Sequence, residues 1–149
     1  MPRTNGLSYS KIGYFQYMNR FWKYSIDHVL FWIATVGFHM FTRMELIGTA
    51  GPGQFVLEVI IRNGLLAAII YVNLLVLIPT FGKRKMQYIV LLLVSVGAYV
   101  LLKNAHDMYL NGYVLGDESK KSLFYNSYYN FSIAIFYLTF SIALHLSKA

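Results

Sequence analysis

Four long apolar stretches, separated by short polar breaks, occupy almost all of this 149-residue chain. They run over about 26–44, 55–78, 86–102 and 125–146. Each is close to the ~20 residues a helix needs to cross a hydrocarbon layer ~30 Å thick. Backbone amides in lipid have no water to pair with, so such a segment must satisfy its own hydrogen bonds as a helix. The fold expected is all-α: an integral membrane antiparallel four-helix bundle with little chain left outside the lipid bilayer.

Composition supports this. Hydrophobic residues make up 57% of the chain and charged residues 13%, against about 25% charged in soluble domains. That is too little polar surface to wrap a water-soluble globule. No linker, repeat or low-complexity tract divides the sequence, so 26–149 reads as one transmembrane domain after a basic, aromatic segment, 1–25. Within that segment Tyr14, Tyr17, Met18 and Phe21 fall at helical spacing beside Lys11, Arg20 and Lys23. Two readings stand: a helix lying in the headgroup region, or an irregular tail with aromatic anchors. The segment lacks the short apolar core and small-residue cleavage site of a signal peptide. Without cysteine, disulfides, thiolate chemistry and cysteine-bound metals are excluded.

The +7 formal charge is unevenly placed. Arg3, Lys11, Arg20 and Lys23 precede the first helix, Lys83-Arg84-Lys85 fill the second break and Lys148 follows the fourth. In the other breaks Arg43 and Arg62 are matched by Glu45 and Glu58, while Lys103, Lys120 and Lys121 are offset by Asp107, Asp117 and Glu118. Basic residues on alternate breaks follow the positive-inside pattern, which puts both termini in the cytoplasm and the first and third breaks outside. This pattern explains the charge without nucleic acid as a partner.

Helix two is expected to stop at Pro79, and helix three to end its apolar run at Leu102 and continue in water to Tyr109. The longest outer loop is then 111–122. Gly64 with Ala68, Gly97-Ala98, and the small residues Ser132, Ala134, Ser141 and Ala143 allow helices to approach closely in lipid. The sequence leaves self-association open.

Ionisable residues inside a membrane are expensive and mark candidate sites. Glu58 and Arg62, four apart, can pair on one helix face. With Arg43, Glu45 and His39 they define a candidate polar cavity opening outward, which Tyr99, Asn104, His106 and Asp107 can close. The plainer alternative is a Glu58–Arg62 salt bridge at a helix end. Asn73, inside helix two, reads either as an interhelical hydrogen-bonding residue or as a ligand contact. The ligand-sensing candidates are therefore His39, Glu45, Glu58, Arg62, Asn73, Asn104, His106 and Asp107.

Opposed histidines in a bundle can ligate haem, which draws attention to His28 with His145 and His39 with His106. At ~1.5 Å rise per residue the outer pair is misaligned by several ångströms, so no cofactor and no metal site are expected. The chain has no nucleophile–base set, phosphate loop or HExxH motif, and is not read as an enzyme. Its acids gather at helix ends instead of forming a proton relay through the midplane.

Two segments resemble a known family. His28-Val29-Leu30-Phe31-Trp32 opens helix one, and Tyr71-Val72-Asn73-Leu74-Leu75-Val76-Leu77-Ile78-Pro79 closes helix two before the Lys83-Arg84-Lys85 turn and Tyr88. The arrangement is similar to the N-terminal four-helix membrane region of bacterial sensor histidine kinases of the LytS/YehU-like class. The likeness covers the whole chain in helix count and orientation, but only about twenty residues in motif. It implies a multi-pass protein of the bacterial cytoplasmic (inner) membrane, a homodimer, and signalling through helix four to a cytoplasmic kinase domain absent from this chain. His145 does not correspond to a phosphoacceptor, so the resemblance supplies no catalytic residue. The competing readings are a small membrane subunit for electron transfer or solute transport, and a membrane scaffold.

Overall fold

A computed structural model describes residues 26–147. Segment 1–25, with the interfacial helix expected there, and Lys148 lie outside the described residues. Among the described residues all regular structure is helical. The helices are α1 (Ile26–Thr42), α2 (Glu45–Ala50), α3 (Pro52–Phe81), α4 (Lys85–Val114) and α5 (Ser127–Ser147), with a 3₁₀ turn at Glu118–Lys120. The chain divides into two units, Met1–Phe41 and Thr42–Ala149.

The described part of the first unit is α1. Phe31 and Trp32 meet edge to face, with ring centroids 5.2 Å apart. Thr35 and His39, one helical turn apart, are buried, while Val29, Leu30, Ile33, Phe38 and Phe41 are exposed. At ~1.5 Å per residue the described helix is about 25 Å long, shorter than the ~30 Å hydrocarbon layer. Three described helices, not the expected four, are long and apolar enough to cross a membrane: α3, α4 and α5.

In the second unit, Gly51 (φ 90°, ψ 161°) separates α2 from α3. Only glycine adopts this backbone region at low cost. Pro52 then starts α3, where its missing N–H goes unneeded. The helix does not stop before Pro79 but continues to Phe81. Residues Asn73–Leu77 form a π-helical turn, in which the Ile78 N–H donates to the Asn73 carbonyl five residues back. Proline in a regular helix clashes with the carbonyl four residues earlier, and the wider turn gives that ring room.

A tight reversal, 82–84, leads into α4. This helix runs past the apolar stretch that ends at Leu102 and five residues beyond the expected continuation to Tyr109, its last stretch, Met108–Val114, being π-helical. The loop expected over 111–122 is thus displaced to 115–126. It folds back onto α4: the Asp117 N–H donates to the Asn111 carbonyl at 3.0 Å. A Cβ on Gly112 would lie 3.1 Å from the Lys120 carbonyl oxygen, so only glycine meets the loop without displacing it. The Asp117 carboxylate accepts from the Ser119 N–H (3.1 Å) and starts the 3₁₀ turn.

Helices α3, α4 and α5 pack against one another, and the short α3–α4 turn makes those two antiparallel neighbours. On α5 the buried positions Asn130, Ala134, Leu138 and Ser141 form one helical stripe. Leu66, Ile69 and Ile70 of α3 and Val96 of α4 supply apolar core. Beside the α3 N-terminus, Leu46, Phe55 and Leu110 form a cluster that Ala50, Val59 and Val114 flank. Ile89, Val90, Leu93, Val94, Leu101 and Leu102 of α4 point outward. So extended an aliphatic surface is unsuited to water and suited to lipid tails.

Candidate functional site

Most of the polar residues that α3, α4 and α5 bury gather at one end of the second unit, where α3 begins, α4 ends and α5 begins. Glu58 is six residues into α3, about 9 Å along its axis. It is fully buried. Lys103, Asn104, His106 and Asp107 come from the last turns of α4 before its π-helical stretch, and all are buried. Asn126, Ser127 and Asn130 come from the start of α5 and the residue before it.

Lys103 is the centre. Its Nζ donates to both Glu58 carboxylate oxygens at 3.2 Å and to Asp107 Oδ1, one turn along its own helix. On the other side of Glu58, His106 Nδ1 lies 3.0 Å from Oε2 and Arg43 Nη2 lies 4.0 Å from Oε1. Asp107 Oδ2 accepts from Asn126 Nδ2 and Asn130 Nδ2, each at 2.7 Å. Asn130 Nδ2 also donates to Asn104 Oδ1 (2.8 Å), and Asn104 Nδ2 donates to Ser127 Oγ (2.7 Å). One network thus joins the three helices: Glu58 from α3, the Lys103–Asp107 turn from α4, and Asn126, Ser127 and Asn130 at the start of α5.

Electrostatics explain the composition. A buried ion costs several kcal/mol of lost hydration, which only close opposite charge and added hydrogen bonds offset. Two carboxylates, Glu58 and Asp107, face two basic side chains, Lys103 and Arg43, so acidic and basic groups match two for two. The amides of Asn126 and Asn130 satisfy the Asp107 oxygen that Lys103 does not reach. Above the cluster, Asn111 Nδ2 donates to Tyr125 Oη (2.7 Å), and Tyr125 Oη donates to the Asp107 carbonyl (3.4 Å). Partial burial, followed by the nearby Asp107 charge, raises the Tyr125 hydroxyl above its ordinary pKa and keeps this proton in place.

Of the residues proposed from sequence, the structure brings together Glu58, Asn104, His106 and Asp107, with Arg43 at the edge. Glu45 is exposed in the first turn of α2. Arg62 is half-buried and within electrostatic reach of Tyr99. The expected Glu58–Arg62 pairing is replaced: Glu58 is paired instead with Lys103, His106 and Arg43, because it points between α3 and α4 while Arg62 lies one turn further on. Asn73 is fully buried about 22 Å along α3 from Glu58. Its Oδ1 accepts from Tyr88 Oη at 2.9 Å, tying α3 to α4 at the opposite end of the unit. His39 belongs to the first unit.

Lys103, Asn126 and Asn130 were missed as site residues. Lys103 sits one residue past the apolar stretch, where it reads as a loop charge offset by Asp107. The available signal was the doubled four-residue spacing, Lys103 with Asp107 and Asn126 with Asn130, which puts each polar pair on one helix face.

Glu58, His106 and Asp107 can each present a ligand atom within 4.8 Å of the others. Lys103 already supplies the positive charge between these carboxylates, and a metal ion would have to displace it. The donor set therefore fits an internal counterion better than a resident metal. No family model, curated protein or solved structure matches this chain.

Proposed function

We propose that this chain is a membrane signal-input domain, of the kind that precedes a two-component histidine kinase in the bacterial inner membrane. In this reading α1 joins α3, α4 and α5 as the fourth span of an antiparallel bundle with both termini in the cytoplasm. The domain works as a homodimer, and α5 carries the response to a kinase domain or partner. One observation supports it above others: the buried Glu58–Lys103–Asp107 network ends on Asn126 and Asn130, at the outer start of the helix that would transmit the signal. A stimulus that alters charge or hydration there favours one arrangement of α5 over another, and such a difference in affinity between two arrangements is what a sensor needs.

The test is to fuse residue 149 to the cytoplasmic region of a histidine kinase and measure autophosphorylation in membranes. Asn130→Ala, which cuts the link between the ion cluster and α5, is expected to change basal autophosphorylation several-fold. Unchanged autophosphorylation in a folded, membrane-inserted variant would remove the reading.

A second reading, a small subunit that moves a solute, draws on His106 Nε2 and Asn130 Oδ1. Both atoms are buried with no hydrogen-bond partner among the described residues. Flux through vesicles carrying the purified chain, abolished by His106→Phe, would favour it over the sensor.

A further inference from the structure

We propose that the α3–α4 turn holds an anionic phospholipid, with its phosphate on Arg84 and its neighbours and an acyl chain in the groove beside α4. This inference needs the three helices to be membrane spans but is independent of the sensor reading. At the turn a cavity of about 540 Å³ is lined by Phe81, Arg84, Met86, Gln87, Val90 and Leu91. Four of these six side chains are apolar, and the volume is in the range of small-molecule sites. Met86 and Val90 are well exposed, so the groove opens sideways, where the first lipid shell would lie.

Charge selects the occupant. Lys83, Arg84 and Lys85 are consecutive, and no acidic residue occurs anywhere between Glu58 and Asp107. Among the described residues no carboxylate forms an ion pair with any of the three. Arg84 is positioned at the groove: its Nη1 donates to Gln87 Oε1 at 3.5 Å, one turn into α4. Three unneutralised cations at the mouth of an apolar groove match a molecule with an anionic head and a hydrocarbon tail. A zwitterionic lipid fills the groove equally well but leaves the cations without a net counter-charge. A free phosphate meets the charges but leaves the groove empty. Basic pockets at a membrane surface bind anionic headgroups in this way.

Native mass spectrometry of the full chain in detergent provides the test, with added phosphatidylglycerol, phosphatidylcholine or inorganic phosphate. Phosphatidylglycerol is expected to be retained preferentially and inorganic phosphate not at all. Each basic residue near a membrane surface contributes roughly fivefold to such binding. Arg84→Gln should therefore weaken phosphatidylglycerol retention roughly fivefold, and the triple change Lys83→Gln, Arg84→Gln, Lys85→Gln roughly a hundredfold. Val90→Trp, which plugs the groove and keeps every charge, should also lower retention. If the variants lose helicity, wild-type protein decides alone: preference for phosphatidylglycerol must fall as salt rises, because salt screens the attraction. Equal retention of the two lipids, or a preference unaffected by salt, would overturn the proposal. Full effect of the charge changes with none from Val90→Trp would overturn the groove as the acyl-chain site.

Discussion

Lys103 is a primary amine with almost no contact with water, between two carboxylates from different helices. Its removal leaves two buried negative charges facing one partly exposed arginine, Arg43, 4.0 Å from Glu58. Breaking a buried ion pair by deleting one partner typically costs about 3–5 kcal/mol. Lys103→Met, which keeps the length of the side chain, should lower unfolding stability in detergent by about that much. Adding Glu58→Gln and Asp107→Asn should recover most of the loss, because the triple variant buries no unpaired charge. Denaturant titrations of the two variants check this. A Lys103→Met protein as stable as wild type would show that the amine does not compensate these carboxylates. The same arithmetic explains why asparagines surround Asp107: an amide satisfies a carboxylate oxygen without bringing another charge.

The elements carrying these residues owe their ends to local chemistry. In the turn at Glu118–Lys120, hydrogen bonds from Ser119 and then Lys120 hold the Asp117 carboxyl below its ordinary value of 3.8. A hydrogen bond to Glu118 holds the Lys121 ammonium above its ordinary 10.5. A depressed carboxyl pKa stabilises the fold above the ordinary value and loses that contribution as pH falls through the folded one; a raised ammonium pKa loses its contribution as pH rises through the folded one. The turn should therefore be best ordered between about pH 4 and pH 10.5. Amide exchange of Ser119, corrected for intrinsic rates, should show protection fading as pH drops below 4. In Asp117→Ala that protection should be absent throughout, and an unchanged Ser119 would mean that the carboxylate does not hold the turn.

Sequence periodicity and length made the helices legible, since 20-residue apolar runs leave few alternatives. Their ends were less so. Pro79 reads as a stop, but a π-helical turn absorbs it. The polar residues after Leu102 read as a helical extension into water as far as Tyr109, but the helix reaches Val114 and buries Lys103, Asn104 and Asp107 against partners on α3 and at the start of α5. Half of the candidate site was visible because Glu58, Asn104, His106 and Asp107 are costly in an apolar setting. The other half depends on which helix faces which, and that is fixed by packing that single-chain spacing does not encode.

For the molecule as a whole, α3 and α4 are each about 45 Å long, and α5 is about 32 Å. A bilayer measures ~40–45 Å including headgroups, so the two longer helices are long enough to reach from one headgroup layer to the other. If the basic turn lies in the cytoplasm, the Glu118–Lys120 turn lies outside. The absence of native cysteine makes this simple to check with single replacements. In intact cells a membrane-impermeant maleimide should label Ser119→Cys, and should label Lys83→Cys only after lysis. The opposite pattern would reverse the orientation and separate the ion cluster from any outside stimulus.

The π-helical turn at Asn73–Leu77 also bears on how the two ends of α3 relate. An additional residue in one turn advances the winding by about 100°. Lipid-facing and protein-facing positions therefore follow one phase near Glu58 and another near Phe81. The charged end and the basic end are aligned by that single inserted step. Deleting one residue from it would leave a straighter rod whose ends each fit their neighbours only when the other does not.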